Sequence, residues 1–128
     1  MTTAIGSIAE LTAQLAVEIA VPDLSSILDF YQSIGFAVER RTDKFAVLRW
    51  DTAYLFVAED KNATTMPRWT NLRIIVPEVD EAWKLVTNLE LPVVNSIGDR
   101  KYGLRDFIIK DPAGFEIRFA SILNDNND

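Results

Sequence analysis

Residues 102–121, YGLRDFIIKDPAGFEIRFAS, read as two strands around one tight turn. Asp111-Pro112-Ala113-Gly114 supplies an Asx acceptor first, a proline of fixed φ second and a glycine last, which is turn chemistry. Upstream, Phe107, Ile108 and Ile109 are β-branched or aromatic. Downstream, Phe115, Ile117 and Phe119 alternate with Glu116, Arg118 and Ala120, the period-2 pattern of a strand with two unlike faces. The apolar set is expected to meet a covering layer, leaving Glu116 and Arg118 on the other side. What that other side looks onto is the functional question.

The same hairpin logic recurs further towards the N-terminus. LAVEIAV, residues 15–21, is strand-like, with Leu15, Val17, Ile19 and Val21 on one face and Ala16, Glu18 and Ala20 on the other. Pro22-Asp23 stops it. Asp23 suits an N-cap, Leu24, Ile27, Leu28, Tyr31 and Ile34 recur at helical spacing, and Gly35 closes the helix. Strands are expected near 36–41, 45–50 and 53–58, with turns at Asp43-Lys44 and Asp51-Thr52. Residues 59–67, EDKNATTMP, are polar and aperiodic and read as a linker. Residues 1–12 do not decide between a loose helix and an arm.

Then the pattern restarts. An offset of 55 carries Val21-Pro22-Asp23 onto Val76-Pro77-Glu78, and the helical stripe onto Val79, Ala82, Trp83, Val86 and Leu89. Strands at 93–97, 104–110 and 115–121 complete the second half. The chain is therefore expected to be one domain, 1–128, made of two β-α-β-β-β modules, about 15–60 and 70–121.

Composition narrows the function classes. A net charge of −6 and a pI near 4.6 leave no basic surface for phosphates, so nucleic acid is not expected as a partner. With no cysteine there are no disulfides and no thiol chemistry, and with no histidine the commonest metal ligand and general base are missing. No apolar run is long enough to span a membrane, and the N-terminus lacks the features of a signal peptide. A cytoplasmic protein is the expectation.

The motif Asp23-Leu24…Phe30-Tyr31…Gly35-Phe36 early, with Tyr102-Gly103-Leu104-Arg105-Asp106-Phe107…Asp111-Pro112-Ala113-Gly114 late, resembles the glyoxalase/bleomycin-resistance/extradiol-dioxygenase superfamily, the vicinal oxygen chelate fold. The resemblance runs over about residues 15–121. It implies an α+β fold in which two tandem βαβββ modules form a cupped mixed sheet with helices outside, and a ligand site within. In metal-using members one metal ligand comes from the first and one from the last strand of each module. Carried over, those positions are Ala16, Phe56, Asn71 and Arg118. None is a histidine or a carboxylate, so no metal site and no cofactor are expected.

Alternation places Glu18, Tyr54, Phe56, Asn71, Arg73, Glu116 and Arg118 towards the interior of that cup. Glu18 and Arg73 are repeat-equivalent. In one reading Glu18–Arg73 and Glu116–Arg118 simply neutralise each other, since a buried charge needs a partner. In the other, Arg73 and Arg118 clamp a carboxylate or polar oxygen while Glu18 or Glu116 meets an amine. Tyr54, Phe56 and Tyr102, with Trp50 and Trp69 near the rim, suit a planar ligand; Trp83 belongs to the helical stripe and is expected in the core.

The resemblance favours a metal-independent protein that binds a small planar or cationic organic molecule, as bleomycin-resistance-like members do, and that forms a homodimer. One alternative is a metal-independent isomerase- or lyase-type enzyme with Glu18 or Glu116 as base. A second is a module that binds no small molecule.

Overall fold

The computed structural model describes residues 17–63 and 71–123. Leu15, Ala16, Trp69 and the 1–12 stretch lie outside the described residues. The chain divides into two compact units, Met1–Ala63 and Thr64–Asp128. The division falls inside the polar 59–67 segment.

In the first unit, β1 (Val17–Val21) leads into α1 (Leu24–Ile34), followed by β2 (Ala37–Arg41), β3 (Phe45–Trp50) and β4 (Ala53–Glu59). The sheet order is β1-β4-β3-β2. The first strand runs parallel to the last, with Glu18 opposite Phe56, and the other pairs are antiparallel. Leu24, Ile27, Leu28, Tyr31 and Ile34 of the helix are buried, as are Ile19, Val21, Leu48, Leu55 and Val57 of the strands. Each such side chain contributes about 1.5–3 kcal/mol on leaving water, which is why the apolar period chooses helix at one point and strand at the next.

Asp23 occupies the N-cap position with extended backbone but makes no side-chain cap bond. The Leu24 N–H instead donates to Glu59 Oε2 across the sheet end at 3.2 Å. Asp23 is thus the N-cap residue expected from the sequence, but the side-chain acceptor comes from the end of β4. Gly35 closes the helix at φ +134°, a backbone region few side chains tolerate. Trp50 lies over it, and its ring meets Phe36 edge-on at 5.4 Å.

The second unit repeats the plan with β5 (Asn71–Ile75), α2 (Val79–Asn88), β6 (Val93–Asp99), β7 (Leu104–Lys110) and β8 (Glu116–Ile122). The sheet order is β5-β8-β7-β6, again with the first strand parallel to the last. Phe107 stacks on Phe119 at 5.2 Å, and Trp83 closes on Phe107 at 5.0 Å from the helix, so Trp83 packs as the helical stripe predicts. Leu89 does not join that stripe. The helix ends at Asn88, Glu90 turns with positive φ, and Leu89 is left exposed.

The β7–β8 turn is the one read from the sequence. Asp111 Oδ1 accepts the N–H groups of Ala113 and Phe115 at 2.9 and 2.8 Å, and Gly114 takes φ +92°. Register shows where the two modules differ in length. Val17 pairs with Leu55 and Leu72 with Ile117, so the first strands match at an offset of 55 and the last at 62. Phe56 and Arg118 are therefore structurally equivalent.

Candidate functional site

Each sheet has one face covered by its helix and one face free of it. On the helix-free face of the first unit, Phe56 meets Phe45 edge-on at 5.8 Å. Tyr54 lies under the Arg49 guanidinium, 5.3 Å from the ring centroid. Glu18, opposite Phe56 in register, is exposed. Glu18, Tyr54 and Phe56 are thus brought onto one face.

The helix-free face of the second unit carries a cluster of charged groups. Strand parity puts Asn71, Arg73 and Ile75 there from β5, Glu116, Arg118 and Ala120 from β8, and Asp106 and Ile108 from β7. Asn71 lies opposite Glu116 and Arg73 opposite Arg118. Asp106 is a carboxylate only 1% exposed. A charge at that depth must be compensated, and Asp106 is. Arg100 Nε donates to Oδ1 at 2.7 Å, the Tyr102 hydroxyl donates to Oδ2 at 2.7 Å, and Arg118 Nη1 lies 3.4 Å from Oδ2. Arg118 Nη1 also donates to the Tyr102 oxygen at 3.1 Å.

The β6–β7 hairpin loop delivers two of these groups. Arg100 and Leu104 bracket it by a 2.7 Å backbone bond, and Gly103 turns at φ +91°. Arg100 folds back along β6, where Nη2 donates to the carbonyls of Ser96 and Asp106. Gly98 makes this possible: a Cβ there would lie 3.2 Å from Arg100 Nη1.

The electrostatics follow. Burial pushes the Asp106 carboxyl up, but the Arg100 and Tyr102 hydrogen bonds and the two guanidinium charges outweigh it, holding it below the ordinary carboxylate value. The Asp106 bond, with burial behind it, pushes the Tyr102 phenol up against the opposing charge of Arg118. Asp106 likewise raises Arg100. Asp106 is therefore a fixed anion with both oxygens engaged, and Tyr102 a neutral phenol. Neither is poised to move a proton at neutral pH.

Sequence reasoning paired Arg118 with Glu116. Among the described residues the ion-pair partner of Arg118 is Asp106. Glu116 and Arg118 stand two apart on one strand, whereas Asp106 reaches Arg118 diagonally from the neighbouring strand. Asp106 and Arg100 were missed as site residues. The signal for Asp106 was present: alternation against Phe107 and Ile109 puts an acid on the same face as Ile108, next to Arg118. Arg100 gave none, since a loop arginine beside Asp99 reads as solvated. Glu18 and Arg73 belong to different units.

Comparison with known proteins fits this architecture. The family model described as Glyoxalase/Bleomycin resistance protein/Dioxygenase superfamily matches residues 13–119. The chain belongs to that superfamily. None of the curated proteins compared with it matches. Among solved structures, a glyoxalase/bleomycin resistance protein/dioxygenase from Alicyclobacillus acidocaldarius superposes with TM-score 0.75 at 19% identity, covering 88% of this chain and 92% of that one. A bleomycin resistance determinant encoded on the transposon Tn5 gives 0.74 at 16% identity, covering 89% and 99%. A bleomycin-binding protein complexed with bleomycin gives 0.71 at 17%, covering 89% and 100%. At these identities the likeness is one of fold.

At the superfamily's metal positions the described residues are Phe56, Asn71 and Arg118, none of them a histidine, a cysteine or a carboxylate. Phe56 has no donor atom and packs on Phe45, and Arg118 is a cation tied to Asp106. Asn71, a neutral amide, has Glu116 opposite it in register. A divalent ion needs imidazole, thiolate or carboxylate donors. Among the described residues no three histidines, cysteines or carboxylates gather into a metal-binding group, and no helix is long and apolar enough to cross a membrane.

Proposed function

We propose that this protein is a metal-independent binder of a small organic molecule with a planar group, held against Tyr102 on the helix-free face of the second module. The observation that carries this reading is the state of Tyr102. Its side chain stands on a hairpin loop and is 58% exposed, yet its hydroxyl is tied to both Asp106 and Arg118 and its ring lies 5.7 Å from the Arg118 guanidinium. An aromatic ring that is both exposed and immobilised offers stacking area at little entropic cost. Likeness in fold to a bleomycin-binding protein adds support for a planar antibiotic as one ligand class. In the first module Tyr54 and Phe56 are the candidates for apolar contact, and Glu18 for an amine. Asn71 is a candidate hydrogen-bonding group beside Arg73.

The test is a thermal-shift screen with planar antibiotics, bleomycin among them, and small aromatic compounds, with and without EDTA. A ligand at a hundred times its Kd adds about 2.7 kcal/mol of stability. The expected result is stabilisation by a planar compound, unchanged by EDTA and lost in Tyr102→Ala. Stabilisation by a divalent metal alone would overturn the reading. The same reading takes the protein as a cytoplasmic homodimer, the four-stranded sheets each having two edge strands to pair or cover; a monomer mass by light scattering would remove the dimer.

A further inference from the structure

We infer that Arg118 and Arg73 form a subsite for a carboxylate, with Asp106 as the residue that positions Arg118. The inference rests on the binding reading above and names the polar group of the ligand. Three observations converge on it.

First, Arg73 and Arg118 are direct register partners on adjacent parallel strands, so both side chains leave the same face, with the Arg118 guanidinium drawn towards Asp106 on β7. Like charges placed opposite one another are destabilising unless something lies between or beside them. Among the described residues Arg73 enters no ion pair, and Arg118 meets a carboxylate only through Nη1. The Arg118 Nε–H is buried with no partner among the described residues. An orphaned buried donor costs about 1–3 kcal/mol. With the Nη1 corner pinned, the Nε–Nη2 edge is left, and that edge is the planar fork that matches two carboxylate oxygens.

Second, this face is an island of positive charge on an acidic chain. Arg73, Arg100, Lys110 and Arg118 belong to it, against Asp106 and Glu116, and Lys110 stands opposite Glu116 in register. The chain as a whole carries −6. Third, Ile75 and Ile122 share the face and are 54% and 74% exposed, which suits the apolar body of the same molecule. The ligand class is a monocarboxylate with an apolar or aromatic body, received between the exposed Arg73 and the open Nε–Nη2 edge of Arg118.

Asp106 makes the prediction sharp because charge and position pull in opposite directions. If Asp106 only offset positive charge, removing its charge would tighten anion binding. As the group that holds the Nη1 corner, its loss frees Arg118 and weakens binding.

The test is titration of the intact protein with benzoate, benzamide and inorganic phosphate by NMR, with Arg Nε–H signals followed directly. Benzoate is expected to bind at least tenfold tighter than benzamide, to perturb the Arg118 Nε–H signal, and to outcompete phosphate. Arg73→Gln, an exposed change that leaves the fold intact, is expected to weaken benzoate about three- to tenfold, and Arg118→Gln more. Asp106→Asn is expected to weaken it and to broaden the Arg118 Nε–H signal. Equal binding of benzoate and benzamide, or phosphate binding as tightly as benzoate, would overturn the carboxylate subsite while leaving a planar-ligand site at Tyr102 standing. Tighter benzoate binding in Asp106→Asn would overturn the positioning role. If neither benzoate nor any planar compound binds the wild-type protein, the binding reading itself falls.

Discussion

Glu59 and Ser121 occupy equivalent places in the two modules and perform the same task. Glu59, paired with Val21 at the end of β4, accepts the Leu24 N–H at 3.2 Å; Ser121, at the end of β8, accepts the Val79 N–H at 2.9 Å. Each helix thus begins on an acceptor from the last strand of its own module, while Asp23 and Glu78 at the N-cap positions make no side-chain cap bond. Helix and sheet are locked together at the strand stop, where the Val-Pro-acid sequence repeats.

Ser121→Ala should therefore cost more than an ordinary surface change. The hydroxyl also donates to the Val76 carbonyl at 2.7 Å, so its loss leaves two part-buried backbone groups unpaired. A destabilisation of about 1–2 kcal/mol is expected, read as a lower denaturant midpoint at unchanged slope. A change below 0.3 kcal/mol, on the order of surface noise, would mean that water replaces the hydroxyl at no cost.

Gly35→Ala tests the other end of α1. The φ of +134° strains any side chain, and the new Cβ would lie 2.9 Å from the Trp50 ring. A loss of about 2–3 kcal/mol is expected. In a Trp50→Leu background the same change should cost less but still something, because the ring clash is relieved and the backbone strain is not. No cost in that background would show that the glycine serves packing alone.

Both ends of the pH profile should report the Asp106 cluster. Asp106 is held below its ordinary value in the folded protein, so its contribution is complete above the unfolded value of about 4 and lost as pH falls through the folded value. Tyr102 is raised, so its contribution is complete below about 10 and lost as pH rises past the folded value. Melting curves of Asp106→Asn against wild type should differ most at neutral pH and converge in acid. Those of Tyr102→Phe should flatten the alkaline limb and also shrink the acid one, because the Tyr102 hydrogen bond helps hold Asp106 down. An acid limb that persists unchanged in Asp106→Asn would place the titrating group elsewhere.

The fold was legible in the sequence because it repeats. Alternation fixed the faces of β4 and β8, and the Asp111-Pro112-Ala113-Gly114 turn closed as its residues dictate. The candidate site was legible only where it lies on strands. Arg118, Arg73 and Asn71 follow from parity, but their partners depend on diagonal reach between strands. Asp106, one residue into the apolar run of β7, shows its face by alternation and its pairing only in three dimensions. Arg100 and the immobilisation of Tyr102 depend on how a hairpin loop folds back, which local pattern does not encode. The cap acceptors Glu59 and Ser121 were hidden for the same reason: the bond spans 35 residues in one module and 42 in the other.

Gly98 offers a test of that loop by a change of sign. Gly98 has no strained φ, so alanine fits its backbone and should stabilise by about 0.4–1 kcal/mol through the unfolded chain. In the folded protein, however, the new Cβ would lie 3.2 Å from Arg100 Nη1. That guanidinium is not free to give way, because Nε is bonded to Asp106 and Nη2 to the carbonyls of Ser96 and Asp106. Gly98→Ala should thus destabilise the wild type. In the Arg100→Gln background, where the obstacle is gone, the same change should be neutral or stabilising. A double-mutant cycle by urea denaturation measures the coupling directly. If Gly98→Ala has the same effect in both backgrounds, Arg100 is mobile in solution, and the clamp it forms on Asp106 contributes nothing to holding the loop.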